Sequence, residues 1–334
     1  GQDDEPDHYW YYFQANGKAL KNGDNSKVAL KTVNGKKYAF DDEGRMLFGW
    51  VSADNAERID NTDGDGFKEG DYYFGGEDDG AMTVGWLQMD ITYDEATSDY
   101  EVAPVFNDDE DQTRWFYFKS NGKKVKAENG DTQKSKTING KKYEFDQYGA
   151  MTAEWSLDVD TASTSGLRGD NATATHSVSA QYAKQWRYFQ DVENGARVSK
   201  GWFKVVSAEY LNYDKYNDDE DAWYYADGSG NLYAGQFKTI KGKKYAFDNY
   251  GRMIDGLVFL QMATENGKVD SSEIDQKFAD DGDIPYDTED AFDDFVVHYA
   301  PQISSGEIRS FYFGDSDDGA MKTGRSEEHT SELQ

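Results

Sequence analysis

Asn61-Thr62-Asp63-Gly64-Asp65-Gly66 alternates polar ligand types with spacer residues, as the opening of a calcium-binding loop does. The ligand such a loop needs at its twelfth position is missing, because Tyr72 stands there. Asn61, Asp63 and Asp65 therefore read as part of a polar loop, with calcium as the alternative. The histidines His8, His176, His298 and His329 fall in no metal-ligand spacing. Catalytic chemistry is as thinly supplied. The chain has no HExxH, no GxSxG, no phosphate-cradling glycine loop and no cysteine to serve as a nucleophile. Its 65 acidic residues offer many carboxylate pairs, but nothing isolates two of them in a cleft. Arg168-Gly169-Asp170 and the sequon at Asn171 are three-residue matches in a Ser/Thr/Ala-rich loop, too short to carry a function. The reading is of a non-enzyme with no catalytic residues, no metal and no cofactor.

The side chains left to recognise anything are aromatic: 24 Tyr, 19 Phe and 8 Trp in 334 residues, beside 33 Gly and only 4 Pro. Such a mixture points to short strands joined by tight turns. The charge balance is 35 basic against 65 acidic residues, a net of −30, and no basic stripe offsets it. Nucleic acid is excluded as a partner, since that binding runs on Lys and Arg neutralising phosphates. Anionic membrane surfaces are disfavoured for the same reason, and no apolar run reaches the roughly 18 residues of a membrane span. The absence of cysteine fits a secreted chain stabilised by repetition. A start at Gly1 suggests a piece of a longer precursor.

Those aromatics recur in order. KTVNGKKYAFDDEGRM, KTINGKKYEFDQYGAM and KTIKGKKYAFDNYGRM begin at Lys31, Lys136 and Lys238. Asn34-Gly35 and Asn139-Gly140, with Lys241-Gly242 in the third copy, mark two-residue hairpin turns. A second strand type appears at Trp10-Tyr11-Tyr12-Phe13, Trp115-Phe116-Tyr117-Phe118 and Trp223-Tyr224-Tyr225, and a third type opens at Asp71, Trp186 and Ser310. The three types follow one another three times. In the second and third types the first loop swells, often with acidic runs such as Asn217-Asp218-Asp219-Glu220-Asp221, which read as solvated tips. A lone hairpin is marginal in water, so each must bury its aromatic face on its neighbours. The expected fold is all-β: an elongated β-solenoid of about nine stacked hairpins in three super-repeats of roughly 105 residues. The divisions are 1–112, 113–220 and 221–324, with 325–334 a non-repeat tail that resembles translated adaptor sequence.

The segment from Gly49-Trp50 through DYYFGGEDDGAMTVGW to Trp86 resembles the choline-binding or cell-wall-binding repeats of Gram-positive surface proteins. The KKYAF units are similar to repeats of clostridial toxins and glucan-binding domains. The resemblance implies a non-catalytic, extracellular attachment module that binds cell-wall choline or polysaccharide in aromatic grooves between hairpins. The alternatives are a structural spacer or adhesin stalk whose rings only pack, and the targeting region of an enzyme whose catalytic domain lies outside this segment. Carried over by position, the Gly-Trp column reads Leu30, Trp50, Trp86, Ser135, Trp155, Trp202, Phe237 and Leu257. The resemblance thus implies one cage of Trp155, Trp186 and Trp202, and a second of Trp50, Tyr72, Trp86 and Met82. Trp202 with Phe237, beside the strand residue Trp223, forms a third, weaker pair. The oligomeric state is left open.

Overall fold

Two local devices, repeated along the chain, make the hairpins. In the computed structural model, which describes residues 5–23, 26–59, 65–91, 112–131, 133–157, 179–209, 211–278 and 286–324, the two-residue turns are as the sequence reads. Asn34, Asn139 and Lys241 have φ of 51°, 49° and 49°, and the glycine after each has φ near +80°. That geometry matches the twist of the flanking strands. The second device follows each KKY strand. Asp146 Oδ1 accepts the backbone N–H of Tyr148 (2.8 Å) and of Ala150 (2.9 Å). Asp41 and Asp248 do the same for Glu43 and Arg45, and for Tyr250 and Arg252. A carboxylate that satisfies two turn donors is why the motif keeps Asp after its Phe. The chain then returns to bridge the strand end, pairing Phe40 with Met46, Phe145 with Met151 and Phe247 with Met253.

The chain forms two compact units, Gly1–Ser165 with Tyr188–Arg197, and Gly166–Arg187 with Val198–Gln334. In the first, antiparallel pairs join β1 (Lys31–Val33) to β2 (Lys36–Tyr38), β3 (Trp50–Val51) to β4 (Tyr72–Tyr73), β5 (Gly85–Ile91) to β6 (Gln112–Phe118) and β7 (Lys134–Ile138) to β8 (Lys141–Phe145). A further strand, β9 (Glu154–Leu157), follows, and β10 (Trp186–Phe189) falls across the division between the units. In the second unit β11 (Gly201–Val206) pairs with β12 (Asp221–Ala226). Six strands then form one sheet: β13 (Gln236–Ile240), β14 (Lys243–Phe247), β15 (Gly256–Glu265), β16 (Lys268–Lys277), β17 (Ile308–Asp315) and β18 (Asp318–Met321), in the order β14-β13-β16-β15-β17-β18.

Successive hairpins are tied together by one backbone bond and one side-chain contact. The N–H of Met46 donates to the Trp10 carbonyl, that of Met82 to Lys37, that of Lys124 to Asp71, that of Met151 to Trp115 and that of Met253 to Trp223. The side chain of the returning residue then lies where the next turn has no Cβ. A Cβ added at Gly149 would stand 2.7 Å from Lys124 Cδ, one at Gly195 2.8 Å from Met151 Sδ and one at Gly319 2.6 Å from Met253 Sδ. Met46 covers Gly80 and Met82 covers Gly122 in the same way. Hairpins bury their faces on one another through this column, so their stability comes from neighbours, as in a repeat array.

The fold is mostly β rather than all-β, and the helices lie outside the tight-turned KKYAF hairpins. Helix α1 (Asp65–Glu69) sits between β3 and β4, α2 (Ala180–Ala183) precedes β10, and α3 (Tyr213–Asn217) lies between β11 and β12. Helices α4 (Glu289–His298) and α5 (Ala300–Ser305) separate β16 from β17. Thr288 caps α4 by accepting the Ala291 N–H, and Glu289 and Asp290 occupy its first turn. Phe295 of that helix lies 4.8 Å from Phe259 and 5.3 Å from Phe278, ring centre to ring centre. The long insertion is thus a helical layer with its own aromatic core against β15. The acidic run Asp218-Asp219-Glu220 is exposed, as a solvated tip should be.

Candidate functional site

Two sets of rings, one in each unit, have matching geometry. In the first, Trp86 of β5 stands opposite Tyr117 of β6, with Gln88 opposite Trp115. Ring centres lie 5.1 Å from Trp86 to Tyr117 and 6.2 Å from Trp86 to Trp115, the two indoles at 89°. The next hairpin adds Tyr143 at 5.0 Å and Phe145 at 5.8 Å. In the second, Trp202 of β11 stands opposite Tyr225 of β12, with Lys204 opposite Trp223. Trp202 lies 5.1 Å from Tyr225 and 6.2 Å from Trp223 at 90°, with Tyr245 at 4.8 Å and Phe247 at 5.6 Å. Phe145 and Phe247 are buried and form the floor. Trp86, Trp115, Tyr143, Trp202, Trp223 and Tyr245 are half-buried and form walls that solvent can reach. Met151 and Met253, whose N–H groups bond the Trp115 and Trp223 carbonyls at 2.9 Å, hold the next hairpin in place.

Each box has an acid at its rim. Trp115 Nε1 donates to Glu193 at 3.3 Å, and Gln88 Nε2 reaches both Glu193 oxygens at 3.4 Å. Trp223 Nε1 donates to Asp317 Oδ1 at 3.1 Å, and Lys204 Nζ to the same oxygen at 2.8 Å. The Lys204 ammonium and the Trp223 N–H hold the Asp317 carboxyl below the usual aspartate range. The same rim contact occurs near the N-terminus, where Trp10 Nε1 donates to Asp78 at 3.0 Å and Trp10 is 51% exposed. Perpendicular indoles, a tyrosine and a nearby carboxylate make a corner suited to a cation held against π faces, or to an apolar sugar face stacked on indole.

No family profile matches the chain. It is 24% identical over 283 residues to glucosyltransferase-S of Streptococcus mutans, a match over 75% of this chain and 16% of that protein's length. Among solved structures it matches the modular autolysin LytC of Streptococcus pneumoniae (17% identity, TM-score 0.39, 80% of this chain and 46% of that one). It also matches choline binding protein F of the same organism (20% identity, TM-score 0.37, 80% and 69%). The chain is similar to the choline-binding repeat domains of streptococcal surface proteins and to the glucan-binding repeats of glucosyltransferases.

The structure distributes the residues that the resemblance marks. Trp86, Trp202 and Trp223 lie in the two boxes. Trp50, Tyr72, Trp86 and Met82 are not brought into one cage. Trp50 is buried with Phe67, Phe116 and Phe118, Trp86 packs with Tyr143 and Phe145, and Tyr72 and Met82 pack with Leu30, Val51 and Phe74. The reason is the register: the wall facing Trp50, Trp86 and Trp202 is the second strand of the next hairpin, not the next Gly-Trp. Trp155 is buried against Tyr188 at 5.2 Å in the first unit, and Trp186 is buried beside Tyr182 at 6.3 Å in the second. Phe237 joins a different core, 5.1 Å from Phe311 and 6.2 Å from Phe313. Trp115, Tyr143, Tyr245, Glu193 and Asp317 are site residues that sequence reasoning missed. The recurring KKY tyrosine could have signalled two of them; nothing local marks the two acids. Asn61 and Asp63 lie outside the described residues, Asp65 begins α1, and no acidic or histidine cluster fit for a metal occurs among the described residues.

Proposed function

We propose that this chain is a non-catalytic attachment module of a cell-surface or secreted protein, and that the boxes around Trp86 and Trp202 hold the quaternary ammonium of choline-bearing wall polymers. The carrying observation is that two half-open corners agree in ring distances to within a few tenths of an ångström and share an acidic rim. A cation over an aromatic face gains about 0.5–2 kcal/mol, and two such sites on one chain add avidity on a polyvalent wall. The net charge of −30 opposes anionic ligands and favours a cation. Similarity to a glucosyltransferase supports a second reading, the glucan-targeting region of an enzyme, in which the same indoles stack on sugar rings.

Retention on choline-agarose, with elution by free choline, tests the first reading. Retention on immobilised glucan but not on choline-agarose selects the second. Passage through both columns rejects both readings and leaves a spacer whose rings only pack.

A further inference from the structure

Trp50 sits in a third copy of the box, and that copy is full. Its cross-strand partner Tyr73 lies at 5.1 Å, and the next hairpin supplies Phe116 at 5.5 Å and Phe118 at 5.9 Å. These are the places of Tyr117, Tyr143 and Phe145 around Trp86. Three positions differ, the first being Phe116 where the open boxes have Tyr143 and Tyr245. Asp71 stands where the open boxes have Trp115 and Trp223, and Lys124 stands where they have Met151 and Met253. Register leaves no ambiguity: the Lys124 N–H donates to the Asp71 carbonyl just as those of Met151 and Met253 do to Trp115 and Trp223.

The Lys124 side chain crosses Gly149, where a Cβ would collide with it, and enters the cage. Its ammonium lies 5.1 Å from the Trp50 ring centre and 5.7 Å from that of Phe116, and donates to the Phe67 carbonyl of α1. The residue is only 4% exposed. The charged groups that act on it are Lys126, Asp146 and Asp71; Arg114 acts on Asp146, and Lys68 lies over the Tyr148 ring. Asp71 pairs with Lys126 at 3.1 Å. An ammonium over two aromatic faces with a carbonyl acceptor is what such a cage offers an outside ligand.

We propose that Lys124 is a built-in ligand: its aminobutyl side chain fills the Trp50 cage and closes it to external cations. The cage is shaped to take an alkylamine head group, and the open boxes differ from it at the Phe116, Asp71 and Lys124 positions. This goes beyond the attachment reading and does not depend on it.

Lys124→Ala removes n-propylammonium from the cage, so that ion should fill it again. Thermal unfolding of the Lys124→Ala chain is followed with n-propylammonium chloride, and with matched sodium chloride or n-propanol. The midpoint should rise by about 3–6 °C with the ammonium at ten times its dissociation constant. It should not rise with n-propanol, nor in the unsubstituted chain. An equal response to ammonium and alcohol overturns the proposal. If Lys124→Ala does not fold, proton NMR of the unsubstituted chain decides. The Lys124 Cε protons should be shifted upfield by the rings of Trp50 and Phe116; a position among the other lysines overturns the proposal. Choline-agarose retention reads the open boxes, so failure of either idea is visible separately.

Discussion

Replacing Trp202 by Ala tests whether the two boxes are separate, equivalent sites. The ring contacts four others at 4.8–6.2 Å, and it is half-buried rather than enclosed. A fully buried aromatic costs about 3–5 kcal/mol on truncation, so Trp202→Ala should cost about 2–3 kcal/mol. The second unit stays folded but is less stable. For the ligand, one π wall is lost, worth about 0.5–2 kcal/mol, which weakens that site about 2- to 30-fold. The Trp86 box belongs to the other unit and shares none of these rings, so its affinity should not change. Titration calorimetry with choline should show two equivalent sites in the parent chain. It should show one parental site and one weakened about 2- to 30-fold in Trp202→Ala, the same for the other box in Trp86→Ala, and two weakened sites in the double substitution. A folded Trp202→Ala chain that keeps two sites at parental affinity would refute the assignment, as would loss of both sites from the single change.

Trp50→Ala should lower stability by about 3–5 kcal/mol in urea unfolding and leave the choline stoichiometry at two, because this ring is 1% exposed and already faces Lys124. Gly122→Ala combines a left-handed backbone, φ +85°, with a clash against Met82, so it should destabilise the first unit by about 2–4 kcal/mol, read by the same unfolding. Burial pushes the Lys124 ammonium down to about 7. Between there and its ordinary value near 10.4 the unfolded chain carries a proton that the folded chain lacks. Stability of the first unit should therefore rise from about pH 7 to pH 9.5, and Lys124→Met should abolish the rise. Burial pushes Asp146 up to about 6, so the folded chain holds the extra proton and stability should fall as pH rises from about 4 to 6; Asp146→Asn should flatten that limb.

The hairpins were legible because their signals are local. Asn-Gly takes positive φ wherever it stands, and Asp four residues before the returning Arg or Ala closes its own turn by two hydrogen bonds. The long loops were not legible, since the cap at Thr288 and the aromatic stripe of α4 make a stable helix only once Phe259, Phe278 and Tyr286 are there to cover it. The site lies between these cases. Trp86 and Trp202 were singled out through their column, but the column also holds Trp50 and Trp155, which are buried.

By itself, then, the sequence determined that this chain is built of repeated hairpins with aromatic faces, that it is acidic, and that it is rich in rings. These follow from composition and from interactions spanning a few residues. Tertiary structure alone decided which rings meet solvent. Trp86 and Trp202 keep a side that solvent can reach, whereas Trp50 is closed over by Lys124 and Trp155 is buried against Tyr188. The rim acids Glu193 and Asp317 come from 78 and 94 residues away from the indoles they hold. Contacts at that separation are set by how hairpins stack, which no short stretch of sequence records.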